Sequence, residues 1–219
     1  MNTEEYNRPR GKLIVLEGID GCGKSTQVRA LTGRLSALGV PFYETREPTD
    51  APIGSLIHQI MTGRLRADNR VIAALFAADR IDHLTNETDG LLQKINSGVD
   101  VIASRYYFSS YAYHGVDLDM SWVIGANSVC AELLRPAATV FLDVPVQTAL
   151  ARISKGRFHT ELFEKEERLI KVREQYFKAF DALRGEENIV IVDADADADT
   201  VSERVWDAVR GYFVTDGRA

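Results

Sequence analysis

Residues 18–25 read Gly-Ile-Asp-Gly-Cys-Gly-Lys-Ser, inside the longer stretch "LEGIDGCGKST" (16–26). The pattern is G-x-x-x-x-G-K-[ST], and its meaning depends on what flanks it. Upstream, "KLIVLEG" (12–18) is a short apolar, β-branched run, the signature of a buried strand. Downstream, "KSTQVRALTGRLSALG" (24–39) has Val28, Leu31, Leu35 and Leu38 on one helical face, and Gly39 closes it. A strand, a glycine-rich turn and a helix in this order make a phosphate-binding loop. Glycines let backbone amides turn onto phosphate oxygens, and the helix N-terminus adds partial positive charge. Lys24 would reach the outer phosphates and Ser25 would ligate Mg²⁺. A nucleoside triphosphate is therefore expected over Gly18, Ile19, Asp20, Gly21, Cys22, Gly23, Lys24, Ser25 and Thr26.

Outward from the loop, strands alternate with helices. "VPFYETREP" (40–48), "VDVIAS" (99–104), "ATVFLDV" (138–144) and "NIVIVDA" (188–194) read as the remaining strands. Helical pattern runs from Asn69 to about Ile95, with Val71, Leu75, Ala78 and Ile81 on one stripe and a break near "TNETDG". A charged helix places Leu169, Val172, Tyr176, Phe180 and Leu183 on one face, and a last helix, "DTVSERVWDAVRGYF", starts at an Asp/Thr cap. The order predicts an α/β fold with a parallel sheet between helices on both faces. One domain over residues 1–219 is expected, with mobile segments around 44–54 and 152–163.

Composition bounds the function. The 219 residues carry a net charge of −6, which argues against a predominantly electrostatic nucleic-acid binder. Two cysteines, Cys22 and Cys130, give neither metal-ligand spacing nor a disulfide framework, the pattern expected of a reduced, cytoplasmic protein. No apolar run approaches the ~18 residues of a membrane span, and "MNTEEYNRPRGK" lacks the apolar core of a signal peptide. Among nucleoside triphosphate users, a guanine switch would carry an Asn-Lys-x-Asp stretch, which "FLDVPVQTAL" does not hold, and the chain is short for a motor. Transfer to a small acceptor is favoured.

Candidates for an acceptor site follow. Arg46 falls just after the second strand and Arg105 just after the third. In open α/β sheets ligands gather at the carboxyl ends of strands, and a planar guanidinium suits bidentate phosphate recognition. In "ALFAADRIDHL", Phe76 and Arg80 lie four apart on one helix face, a ring able to stack on a base beside a donor able to meet base oxygens. "SSYAYHG" adds Ser109, Ser110 and Tyr113.

"LEGIDGCGKST", "TREP", "ALFAADR", "SRYYFSSYAYHG" and "FEKEERLIKVREQYF" occur in the order and spacing of thymidylate kinases. The chain resembles that family from about Lys12 to the last helix. The resemblance implies a three-layer P-loop fold with a five-stranded parallel sheet, a homodimer, and transfer from ATP to dTMP giving ADP and dTDP. It implies that Asp20 meets the sugar 3′-OH and that Arg46 and Arg105 hold the acceptor phosphate. It further implies that Phe76 stacks on thymine, Arg80 donates to a thymine oxygen, Ser110 approaches the base edge, and Tyr113 lies beside C2′ of the deoxyribose. Lys24, Arg105 and a basic residue of a lid at 152–163 would surround the moving phosphoryl group. Arg152, Lys155 and Arg157 are the candidates there, and Arg152 could instead pack against adenine. The chain departs from the family pattern at Ser104, where a carboxylate is usual, at Leu162, where a basic residue is usual, and at Gly21, where some members carry arginine. Two rival readings remain open: another acceptor such as dUMP or a deoxynucleoside, and a nucleotide-binding regulatory protein without transfer.

Overall fold

The computed structural model describes residues 10–153 and 159–213; for 159–164 it describes the backbone alone. β1 (Leu13–Glu17) is buried at every position, as its apolar run requires. It lies at the centre of a five-stranded sheet with β2 (Phe42–Arg46), β3 (Asp100–Ser104), β4 (Ala138–Asp143) and β5 (Ile189–Asp193), in the order β2-β3-β1-β4-β5. Every pairing is parallel. The edge strands β2 and β5 are only partly buried, whereas β3 and β4 are buried nearly throughout.

The crossovers are helical. α1 (Lys24–Ala37) joins β1 to β2, and α2 (Pro52–Met61), α3 (Asn69–Thr85) and α4 (Leu91–Asn96) join β2 to β3. α5 (Tyr107–His114), α6 (Met120–Ala126) and α7 (Ser128–Leu133) lead to β4; α8 (Val146–Ile153) and α9 (His159–Ala182) lead to β5; α10 (Ala198–Phe213) ends the described chain. α1 packs on α10, and α5 on α9. Right-handed crossovers put the first pair over one face of the sheet and the second over the other.

The expected break between residues 85 and 91 is present, and Gly90 makes it possible: a Cβ there would stand 2.4 Å from the Asn86 carbonyl oxygen. Three expectations are corrected. The buried face of α3 is Ala73, Ala77, Arg80 and Leu84, not the stripe through Val71, which is half exposed. Hydrophobicity alone cannot find a face whose largest member is a buried arginine. Residues 44–54 are not a free loop: β2 and α2 take most of them, and the Asp79 carboxylate accepts from the Thr49 amide and hydroxyl at 2.8 and 2.6 Å. The cap of α10 is Asp197, which accepts from the amides of Asp199 and Thr200, so the helix begins earlier than its Asp/Thr pair.

Candidate active site

The chain leaves β1 through a turn that only glycine fits. Gly18 has φ 144° and Gly21 φ 83°; a Cβ on Gly21 would stand 2.4 Å from the Ala149 carbonyl oxygen in α8. The arginine that some similar chains place there therefore has no room. Lys24 opens α1 and is buried; its Nζ donates to the carbonyls of Gly18 at 2.8 Å and Ile19 at 3.0 Å. Burial, then the charge of Arg105, lowers its pKa. Ser25 and Thr26 follow on the first turn, both exposed. A cavity of about 590 Å³ lies over this turn, with Arg46, Ser104, Arg105 and Arg152 around it.

Strand register explains why these arginines meet. Arg46 pairs with Ser104, and Ser104 with Leu16, so the ends of β2, β3 and β1 lie side by side. Arg105 then turns sharply, with φ 71°, a strained backbone for a residue carrying a Cβ. Its amide donates to the Leu16 carbonyl at 3.0 Å, which holds the turn. Its guanidinium donates to Asp20, to Ser109 Oγ at 2.9 Å and to Tyr113 Oη at 3.2 Å, and lies 4.8 Å from the Tyr113 ring centroid. Burial opposes its charge, but Tyr113, Tyr176, Asp20 and Glu17 outweigh that and raise its pKa well above the ordinary arginine value. Arg46 is more exposed and pairs with Asp50 at 2.9 Å.

Beneath these groups lies Glu17, fully buried at the end of β1. Its carboxylate accepts from the amides of Tyr106 at 2.7 Å and Ser109 at 3.1 Å. It also accepts from the hydroxyls of Ser109 at 2.6 Å and Tyr176 at 2.8 Å. It thus ties β1 to α5 and α9. The sequence marks Glu17 only as the polar end of an apolar run, and nothing local names its partners.

A second cavity, of about 290 Å³, opens beside the first and shares Asp20 and Arg105 with it. Phe76, Ser110 and Tyr113 all line it, joined by His114, Asp117 and Arg168, which pattern reading does not single out. Tyr113 Oη accepts from the Asp20 amide at 3.1 Å, and burial pushes its phenol up to about 12. Arg80 is placed differently from a free donor. It stands behind the wall, 1% exposed, and pairs with Glu47 at 2.7 Å. It donates to Ser110 Oγ at 3.2 Å and to Asn127 Oδ1. A buried guanidinium requires such partners, and they leave it acting on the cavity through Ser110.

Arg152 donates to the Cys22 carbonyl at 3.4 Å and to the carbonyls of Ala194 and Ala196, each at 3.1 Å. It lines a third cavity, of about 310 Å³, between the phosphate loop and the start of α10. Lys155, Arg157 and the Leu162 side chain lie outside the described residues. Among the described residues no group of three or more His, Cys, Asp or Glu is placed to hold a metal.

The cavity over the glycine-rich turn thus adjoins the Phe76 cavity through Asp20 and Arg105. A family model described as thymidylate kinase matches residues 16–205. A probable thymidylate kinase of Pyrococcus horikoshii is 39% identical over 175 residues, covering 77% of this chain and 82% of the relative. One from Methanocaldococcus jannaschii is 33% identical over 201 residues, covering 91% and 94%. A probable thymidylate kinase 1 of Saccharolobus solfataricus is 38% identical over 195 residues, covering 88% and 94%.

Proposed function

The chain belongs to the thymidylate kinase family, the ATP-dependent kinases that convert dTMP to dTDP, and from that membership we propose the residue roles that follow. The triphosphate of ATP lies along the loop from Gly18 to Thr26, with Lys24 exchanging its two loop carbonyls for phosphate oxygens. Arg152 packs on the adenine side, at the third cavity. Mg²⁺ would be held by the exposed Ser25 hydroxyl beside phosphate oxygens, an all-oxygen donor set that suits this ion. Glu17 is committed to four donors and Ser104 carries no charge, so among the described residues the Ser25 hydroxyl is the donor we assign to the metal. When bound, the metal neutralises charge on the transferring phosphates.

Arg46 and Arg105 hold the acceptor phosphate in line with the γ-phosphorus. An anionic oxygen of dTMP forms the new bond as the bond to the bridging oxygen breaks, and that oxygen leaves on ADP. No side-chain base is needed, because the attacking oxygen is already ionised. Positioning and charge neutralisation supply the catalysis. Phe76 stacks on thymine, Ser110 meets the base edge with Arg80 fixing its hydroxyl, Asp20 meets the 3′-OH, and Tyr113 leaves no room for a 2′-OH. The charge beside the moving group is assigned to Arg157, which lies outside the described residues.

The whole chain acts as one kinase domain. Its exposed apolar residues Met61, Leu65 and Val71, with Trp122 and Val129, support a homodimer packed through helices. Two unpaired buried thiols, Cys22 and Cys130, suit the reducing cytoplasm. No described helix is long and apolar enough to cross a membrane.

The observation that carries these roles is Arg105, just past β3, which lines both the cavity over the loop and the Phe76 cavity, with Arg46 beside the first at the end of β2. The test is ATP turnover against dTMP, dUMP, dCMP, dGMP and thymidine. Formation of dTDP faster than any other product is expected. Equal use of dCMP or dGMP would overturn the base-site assignment, and absence of turnover with every acceptor would favour a regulatory role.

A further inference from the structure

Gln27 sits at the end of the first turn of α1 and is 3% exposed, yet its side-chain oxygen Oε1 has no hydrogen-bond partner among the described residues. The Ala198 carbonyl fixes which end of this amide is which: a carbonyl only accepts, and Nε2 donates to it at 3.0 Å. A buried acceptor left alone is unfavourable, and folded chains satisfy nearly all of them. Gln27 lines the third cavity, with Arg152 and Ala196 across from the phosphate loop. The neighbouring acceptors are engaged. Arg152 donates to the carbonyls of Cys22, Ala194 and Ala196, and the Asp197 carboxylate receives the amides of Asp199 and Thr200.

The geometry points to Gln27 as the residue that selects the donor base, its Oε1 accepting a hydrogen bond from the exocyclic amino group of adenine. This rests on the reading of the third cavity as the adenine side of the site. The chemistry fits. The 6-amino group of adenine is a donor, the complement of Oε1. Guanine and hypoxanthine carry an oxygen there, a second acceptor facing the first, and unsubstituted purine carries nothing. Each of these leaves Oε1 unpaired, and a site built to hydrogen-bond one group discriminates against analogues that lack it. The loop carbonyls that Arg152 occupies are less able to share that role.

The test compares kcat/KM for ATP with that for purine riboside triphosphate, inosine triphosphate and GTP, at saturating dTMP. Purine riboside triphosphate differs from ATP only by the missing amino group. Wild type should prefer ATP over it by about 5- to 150-fold. Gln27→Met, close in size but without the amide, should bring that ratio near one, whereas Gln27→Glu keeps an acceptor and should retain part of it. The ratio is taken on one preparation, so a loss of stability that affects both donors alike does not move it. Glutamine labelled with ¹³C at Cδ gives five signals in the full chain. The Gln27 signal, assigned by replacing the other four in turn, should move further with ATP than with purine riboside triphosphate.

A wild type that uses both triphosphates equally overturns the inference, and so does a folded Gln27→Met chain that keeps the wild-type ratio. A Gln27 signal that moves equally with both nucleotides overturns it even if both Gln27 variants fail to fold. Arg152→Ala separates these failures from that of the cavity reading: a raised KM for ATP keeps the third cavity as the adenine site, and an unchanged KM removes that reading and the inference with it.

Discussion

Lys24 and Arg80 are buried and His114 partly so, and each responds to substitution for a different reason. Among the described residues Lys24 Nζ donates only to groups of its own loop, the carbonyls of Gly18 and Ile19 and the Cys22 thiol, so its removal should spare the core while removing the charge proposed to meet the phosphates. Lys24→Ala is expected to lower kcat by roughly 10²-fold or more with little change in the melting temperature; near-normal dTDP formation would exclude it from the mechanism. Arg80 is the reverse case. Its truncation leaves Glu47, itself 5% exposed, as a buried charge without its guanidinium. Arg80→Ala should therefore destabilise the protein by about 3–5 kcal/mol, read from urea unfolding, and a loss under 1 kcal/mol would contradict the buried pair. His114 sets a pH dependence. Burial, then Arg80 and Arg168, lower its pKa from the ordinary 6.5 to about 4, against the raising effect of Asp117. Between those values the unfolded chain binds a proton that the folded chain refuses, so this group's share of stability falls as pH drops from 6.5 towards 4 and is constant above 6.5. The melting temperature of wild type should fall more steeply than that of His114→Asn across this window; parallel curves would mean that His114 titrates normally.

At the scale of elements, α5 is the organising piece. Its eight residues carry Ser109, Ser110, Tyr113 and His114 towards the acceptor cavity, and its N-terminal amides are anchored on the Glu17 carboxylate of β1. The same carboxylate receives Tyr176 from α9. A single side chain thus fixes the acceptor wall to the strand that feeds the phosphate loop. Glu17→Ala strands two amides and two hydroxyls. Each buried donor left without a partner costs about 1–3 kcal/mol, with hydroxyls better able than amides to rotate to new partners. The variant should unfold at markedly lower urea concentration, and the KM for dTMP should rise with it, because Arg105 is held partly by Ser109. A stable variant with unchanged KM would show that α5 is positioned by packing alone.

For the whole molecule, the proposed homodimer rests on the exposed apolar residues of α2, α3, α6 and α7. Met61 is 64% exposed and Val71 50%, apolar surface on two helices that pack together and that the proposed homodimer would cover. Sedimentation should give twice the 24.4 kDa of the chain, and Met61→Glu with Val71→Glu should return it to one copy. A wild type that sediments as a single chain would remove the dimer. These helices also border the acceptor cavity, since Met61, Asn69 and Ile72 line it, so dissociation is expected to weaken dTMP binding as well.

The phosphate loop, the alternation of strands and helices, and the two arginines at strand ends were determined by sequence alone. Each is a local signal: contiguous glycines, a short β-branched run, or a residue just past a strand whose position in a parallel sheet is set by chain direction. Phe76, Ser110 and Tyr113 followed from family resemblance, and the fold brings all three to one cavity. What the tertiary structure decided is which polar groups are withdrawn from water and what satisfies them. Arg80 meets Glu47 33 residues away and Asn127 47 away, and Glu17 meets Tyr176 159 away. No window of sequence contains such a pair. An arginine on a helix face looks the same whether it ends in solvent or in a carboxylate, and only the packed chain supplies the partner that makes its burial possible.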